Sequence, residues 1–222
     1  MLRPAVAAAA LLLALPAAAA PGFVQVDGNA MLPMGEWSNN FSVPDQSQFS
    51  AAPAARVSAG WAPRSSRYFT VGFEAAYSRI GTGAWESFTA RRTSRVDADA
   101  RMWSLMAGGT VTVPGRARGP FALELHGALG VLVPSGEETY AGTRVDYDFL
   151  KPTIAGRVGT RGVWRFDPSW DVWAGADLLV APGAVRPTEP LASAGGPLRR
   201  SLERRSLTAL EPGLGLRYWF SL

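Results

Sequence analysis

Cysteine is absent from this 222-residue chain, lysine occurs once (Lys151) and histidine once (His126). No disulfide can staple the fold, so its stability must come from a closed hydrogen-bonded sheet or a sizeable core. A lone histidine without cysteine cannot assemble a typical transition-metal site. A large charge of one sign is missing too: 22 basic residues face 18 acidic ones, for a net charge of +4. That balance gives no basis for nucleic-acid binding. Phosphate-cradling loops are lacking, since Gly108-Gly109 falls within an alternating segment and Gly195-Gly196 precedes no helix pattern. The acids Glu137, Glu138, Asp146 and Asp148 have no EF-hand arrangement. No cofactor is expected. Long hydrophobic runs are also missing beyond the N-terminus. Every later apolar run is broken by Arg, Asp, Glu or Pro before the ~20 residues that a membrane-crossing helix needs.

The N-terminus reads as an export signal. Met1-Leu2-Arg3 gives a short positive start, Ala5 to Leu15 an apolar core, and Ala17 to Ala20 a run of small residues. Residues 1–20 are expected to be a signal peptide, cut after Ala18 or Ala19, and residues 21–222 one domain. An exported chain with no spanning helix is either soluble or a β-barrel.

What is present decides between the two. At the C-terminus Leu214, Leu216, Tyr218, Phe220 and Leu222 occupy every second position, with Glu211, Gly213, Gly215 and Arg217 between them. Period two is a β-strand with one apolar and one polar or small face. The same alternation recurs over Phe23–Leu32, Ala55–Ala62, Phe69–Ser78, Arg101–Val113, Phe121–Val133, Phe149–Thr160 and Trp170–Val180, and the last strand begins near Leu207. Pro152 points to a bulge or a late start in the sixth of these. The connections alternate long and short: 33–53, 63–67, 79–99, 114–119, 134–147, 161–169 and 181–206. Short turns on one side and long ones on the other, with an even strand count, predict an all-β fold, an eight-stranded antiparallel up-and-down transmembrane β-barrel. Trp61, Phe69, Tyr77, Trp103, Phe121, Trp170, Tyr218 and Phe220 lie near strand ends, as rings at the two lipid–water boundaries do.

Parity then assigns an inward face. Arg56, Glu74, Glu124, His126, Lys151, Arg157, Asp171, Asp177, Glu211 and Arg217 point into the lumen. At eight strands side chains nearly fill that space. Both signs are present, and an unpaired buried charge costs several kcal/mol, so a plug of ion pairs is expected rather than a wide channel. His126 is expected against Glu124 on the same face. The basic clusters Arg91-Arg92-Arg95 and Arg199-Arg200-Arg204-Arg205 read as solvated connecting segments, with attraction to lipopolysaccharide phosphates as the sharper alternative.

Three features resemble the small outer-membrane barrels of Gram-negative bacteria, the OmpA/OmpW-like group. They are Leu32-Pro33-Met34-Gly35-Glu36-Trp37 after the first strand, the hairpin pattern, and the alternating C-terminal segment. The resemblance implies a place in the cell outer membrane, surrounded by lipid and lipopolysaccharide. It also implies a monomer, and a C-terminal signal read by the barrel-assembly machinery. This chain departs by ending in Leu222 rather than an aromatic. Members of the group include tethers, adhesins, conduits for small apolar molecules and a few lipid-modifying enzymes. A non-enzymatic structural or surface-interaction role is expected, with a narrow conduit or carrier as the alternative. A lipid-modifying enzyme is the minor alternative, because His126 has no serine beside it in the sequence.

Overall fold

A computed structural model describes residues 20–34, 51–63, 68–89, 92–114, 120–140, 143–146, 152–185 and 205–221. Nine strands follow one another: β1 (Pro21–Met34), β2 (Ala52–Trp61), β3 (Phe69–Thr89), β4 (Arg92–Pro114), β5 (Phe121–Tyr140), β6 (Thr143–Asp146), β7 (Thr153–Asp167), β8 (Trp170–Val185) and β9 (Arg205–Ser221). Each long strand pairs antiparallel with its neighbours in sequence. Pairing of β1 with β9, from Pro21↔Ser221 to Met34↔Thr208, closes the cylinder. The result is the expected eight-stranded barrel, and the four-residue β6 is an addition on β5 above it. Among the described residues no helix is long and apolar enough to cross a membrane.

Closure explains how a chain without cysteine holds together. Within the barrel each of the eight long strands has a partner on both sides, so the closed wall presents no free edge. The ladders even continue into the tight ends. Ala62 N–H donates to Pro21 O, Thr112 N–H to Tyr68 O, Arg165 N–H to Pro120 O, and Trp219 N–H to Ser169 O, all within 2.7–2.9 Å. At one of these ends Asp167 Oδ1 accepts from Ser169 N–H at 2.8 Å, an Asx turn that needs only two residues between strands.

The wall has its oil outside. Val24, Val26, Val57, Phe73, Trp103, Leu105, Val111, Leu125, Leu129, Val131, Ile154, Val158, Leu214 and Leu216 are exposed, whereas Asp27, Arg56, Glu74, Glu124, Arg157, Glu211 and Arg217 on the same strands are buried. A soluble barrel would invert this, since burying charge and exposing apolar surface both cost free energy in water. Such a cylinder is built for a bilayer, and spanning barrels of this kind are those of the bacterial outer membrane.

Several expected strand limits shift. The segment 79–99 is not a long connection: β3 and β4 continue through it as one hairpin up to Thr89↔Arg92, with a register shift between Ile80 and Gly83. The connection expected over 134–147 is likewise occupied by the end of β5 and by β6. These segments are rich in polar and small residues and carry no sustained apolar alternation to read. The sixth expected strand, 149–160, lies instead at Thr153–Asp167, and the expected link 161–169 shrinks to a turn at Pro168-Ser169. Outward Thr160, Gly162, Trp164 and Phe166 continue the period, masked in the sequence by the three arginines and the aspartate around them. Pro152 stands just before the ladder, which begins at Leu132↔Thr153. There the Thr153 hydroxyl donates to Pro182 O at 2.8 Å. Pro182 precedes Gly183, whose φ of 65° marks a bulge in β8.

Candidate functional site

The lumen is filled in three tiers. At the end that carries the tight turns, Phe23, Ala62 and Trp219 form an apolar floor, with the two rings 5.4 Å apart. At the opposite end Met31, Met102, Leu132, Leu179 and Leu207 are buried and form an apolar collar. Between floor and collar lies the charge.

Among the described residues the charged tier contains six buried carboxylates (Asp27, Glu74, Glu124, Asp171, Asp177 and Glu211) and four buried guanidiniums (Arg56, Arg157, Arg161 and Arg217). Arg217 forms two 2.7 Å bonds to Glu124 and donates from Nε to Gln25 Oε1 at 2.8 Å. Gln25 Nε2 in turn donates to Asp27 Oδ1 at 2.9 Å. Asp27 also accepts from Arg56 Nε at 2.7 Å and from Trp173 Nε1 at 2.9 Å. Arg56 Nη1 reaches Asp177 at 2.8 Å. Arg157 bridges Glu211, at 2.7 Å, and Glu74. Asp171 closes the lower side, accepting from Trp219 Nε1 at 2.5 Å and from Arg165 Nε at 3.0 Å. The carboxylates thus span the barrel: each is held by a cation from another strand, which is how charges survive removal from water.

Aromatic faces also contact the guanidiniums. Arg161 lies 4.4 Å from the centre of the Trp173 ring, and Arg217 lies 5.4 Å from Phe23 and 5.6 Å from Trp219. Trp173 is itself fully buried in the lumen, which the alternation of β8 also requires.

His126 does not contact Glu124 as its spacing implied. Its Nε2 lies 3.2 Å from Glu74 and its Nδ1 3.1 Å from Asp177, while Arg161 Nη2 comes within 2.8 Å of Nδ1. The neutral ring serves one carboxylate at a time: with the proton on Nε2 it donates to Glu74 and accepts from Arg161, and with the proton on Nδ1 it donates to Asp177. Same-face neighbours two apart on one strand stand ~7 Å from each other, whereas the narrow lumen brings opposite walls closer.

Glycines make the room. A Cβ on Gly215 would strike Asp27 and Trp173 Nε1, one on Gly213 would strike Asn29, and one on Gly159 would strike Asp177. Two small voids stand out among the described residues. One, of about 10 Å³, lies between collar and charged tier, lined by Met31, Met102, Leu132, Leu179, Arg56 and Glu211. A second, of about 30 Å³, lies beside His126 and Arg217. Each has room for roughly one water or two. In the upper void Asn29 Oδ1, Ser104 Oγ and the Arg56 guanidinium retain unmet hydrogen-bonding capacity, which suits such a water.

Of the residues expected in the lumen, nine are brought together here. Lys151 lies outside the described residues, as do Leu222 and the side chains of both basic clusters and of Glu137, Glu138, Asp146 and Asp148. Leu214, Leu216 and Tyr218 are exposed on the lipid side of β9, with Phe220 partly so.

No family model matches the chain, and neither does any curated protein. Solved structures do. Neisserial surface protein A superposes with a TM-score of 0.52 at 16% identity, over 90% of this chain and 97% of that one. A major outer membrane protein from Thermus thermophilus gives 0.50 at 11% identity, over 90% and 99%. The chain has the outer-membrane β-barrel fold.

In this outer-membrane barrel, sequence reasoning missed four members of the network. Arg161 was hidden by the misplaced turn. Gln25 and Asp27 show the right parity on β1 but were not counted as charge partners, and Trp173 reads as grease until its indole N–H is seen to serve Asp27. The aromatic ring at the tight-turn end gains Trp164 and Phe166, with Phe121 and Trp164 stacked at 6.2 Å and Trp170 against Tyr218 at 4.7 Å.

Proposed function

We propose that this outer-membrane barrel is a non-enzymatic, non-conducting monomer, with a structural or surface-interaction role carried at the end opposite the tight turns. The observation behind this reading is the lumen sealed three times over. An ion crossing it would have to part the Phe23/Trp219 floor, the ion-paired tier and the Met31/Met102/Leu132/Leu179 collar. The voids are too small for a small apolar cargo, so a conduit or carrier would require all three tiers to move apart. A lipid-modifying enzyme has less support, because the polar partners of His126 described here are Glu74, Asp177 and Arg161, with no serine among them. Residues 1–20 are proposed as the signal peptide, and Leu214, Leu216, Tyr218, Phe220 and Leu222 as the stretch read by the assembly machinery.

Planar-bilayer recording on the refolded protein tests the reading. Silence over a wide voltage range is expected. Reproducible unitary currents would replace it with the conduit, and release of fatty acid from lipid A by the wild type but not by His126→Ala would replace it with the enzyme.

A further inference from the structure

Three methionines are buried to the same degree in the lumen but differ in what surrounds them. Met31, Met102 and Met106 are each 1% exposed. The sulfur of Met106 is engaged: Arg157 Nη1 donates to its Sδ at 3.6 Å. Met31 on β1 and Met102 on β4 instead line the upper void of about 10 Å³. A void with room for roughly one water also has room for one added oxygen atom. The same wall holds donors with nothing to donate to. Arg56 is ion-paired with Asp27 and Asp177, yet among the described residues neither of its Nη atoms has a hydrogen-bond acceptor. Ser104 Oγ, in the same lining, is buried without a partner as well. Arg56 is 1% and Ser104 6% exposed, so bulk water does not supply what they lack. Asn29 Oδ1 is an unmet acceptor in this wall, and half a turn of its amide offers the NH2 group instead.

We propose that Met31 and Met102 form a methionine-oxidation site, which takes one oxygen from a peroxide into the upper void as a sulfoxide held by Arg56 and Ser104. A sulfur lone pair attacks one oxygen of hydrogen peroxide and the O–O bond breaks. The other oxygen leaves with the proton of the first, as water, and the sulfur is oxidised by two electrons. Methionine oxidation ordinarily disrupts a core, because it forces a polar oxygen among apolar side chains. In this void that oxygen meets N–H and O–H groups without acceptors, one set of them charged, which offsets the cost of burying it. The collar therefore stays closed when it is oxidised. Two thioethers share room for one oxygen, so the first sulfoxide excludes the second. A sulfoxide is also chiral at sulfur, and donors on one side of the sulfur favour one epimer. Met106 has the same burial but neither the room nor a free lone-pair direction, which makes it an internal control.

Hydrogen peroxide treatment of the refolded barrel in detergent, followed by peptide mass spectrometry, gives the test. Met34, 45% exposed, reports that the oxidant is active. One oxygen is then expected on the Met31–Met102 pair while Met106 stays a thioether. Met31→Leu and Met102→Leu are each expected to leave one oxidisable methionine at the void, and the double variant none. Should a leucine variant fail to fold, the wild-type contrast between the pair and Met106 carries the test. Digested peptides treated with the two methionine sulfoxide reductases, one per epimer, are expected to show about a fivefold or greater excess of one epimer, the factor that a single net hydrogen bond supplies. The chain oxidised in denaturant is expected to show no such excess. Heat-dependent gel migration is expected to persist after oxidation. Reaction of Met106 in step with the pair overturns the proposal, as do two oxygens on the pair, an even epimer mixture, or loss of the folded band as the pair reacts. Resistance of both methionines until denaturant is added overturns it too. Planar-bilayer recording of the untreated protein reports the seal separately, so failure of the sealed-lumen reading and failure of the oxidation site give different results.

Discussion

Arg217 and Glu124 are both buried and joined by two parallel bonds. Arg217→Met strands the carboxylate and should cost about 3–5 kcal/mol, read as a lower urea midpoint in detergent micelles. Arg217→Met with Glu124→Leu should recover at least half of that loss, because the pair's attraction mostly offsets its own desolvation. Strictly additive losses would show that the two side chains do not act as a pair. The glycines make a second residue-scale test. Gly215→Ala should lose about 1–3 kcal/mol, since its methyl group meets Asp27 and Trp173, whereas Gly28→Ala, exposed and with nothing in reach, should stay within about 0.5 kcal/mol of the wild type. The inward direction of Arg56, Glu74, Arg157 or Asp177 was legible from parity alone. Their partners were not. Glu124 is held by a residue 93 positions away rather than by His126 beside it, because partner choice depends on how far each strand is staggered around the closed cylinder.

Single strands cross three environments, and a substitution's effect should track its depth. Leu129 lies on the lipid face of β5 near mid-wall, and Val133 lies level with the outer aromatic pair Tyr77–Trp103 through its pairing with Trp103. Leu129→Arg should cost roughly 2–4 kcal/mol and Val133→Arg roughly 0–1 kcal/mol. Reversible unfolding from lipid vesicles measures both, and equal costs would contradict an apolar band that ends at Trp103. Legibility at this scale followed the same environments. Within the membrane the outward grease of β3, β4 and β5 announced each strand. Above it, the hairpin from Ile80 to Ala100 remained ladder-paired yet read as a loop, because its many polar and small residues carry no sustained apolar alternation. The β7–β8 turn was misplaced for a different reason. Arg161 and Arg165 look like turn residues, but one belongs to the lumen and the other, half in water, reaches back to Asp171.

A lumen sealed as proposed would insulate its charge from dissolved ions, and that insulation is measurable. Six carboxylates and four guanidiniums sit in a lumen whose floor and collar are apolar and whose voids hold roughly a water or two each. Raising ionic strength to ~1 M shortens the Debye length to ~3 Å, which weakens interactions that dissolved ions can approach but hardly touches pairs they cannot reach. If the seals hold, the unfolding midpoint in a non-ionic denaturant should move little between low salt and ~1 M sodium chloride. A lumen open to ions would instead lose stability steadily as salt rises, since Arg56, Arg157 and Arg217 would exchange their carboxylates for chloride and water. The matching control removes the seal and leaves the charge alone: Met102→Ala with Leu132→Ala should open the collar above the upper void. That variant should gain salt sensitivity beyond the loss expected from two truncated side chains, whereas a truncation on the lipid face such as Leu105→Ala should not. Salt sensitivity in the wild type, or its absence in the collar variant, would mean that the charged tier is not sealed and would remove the physical ground for a non-conducting barrel.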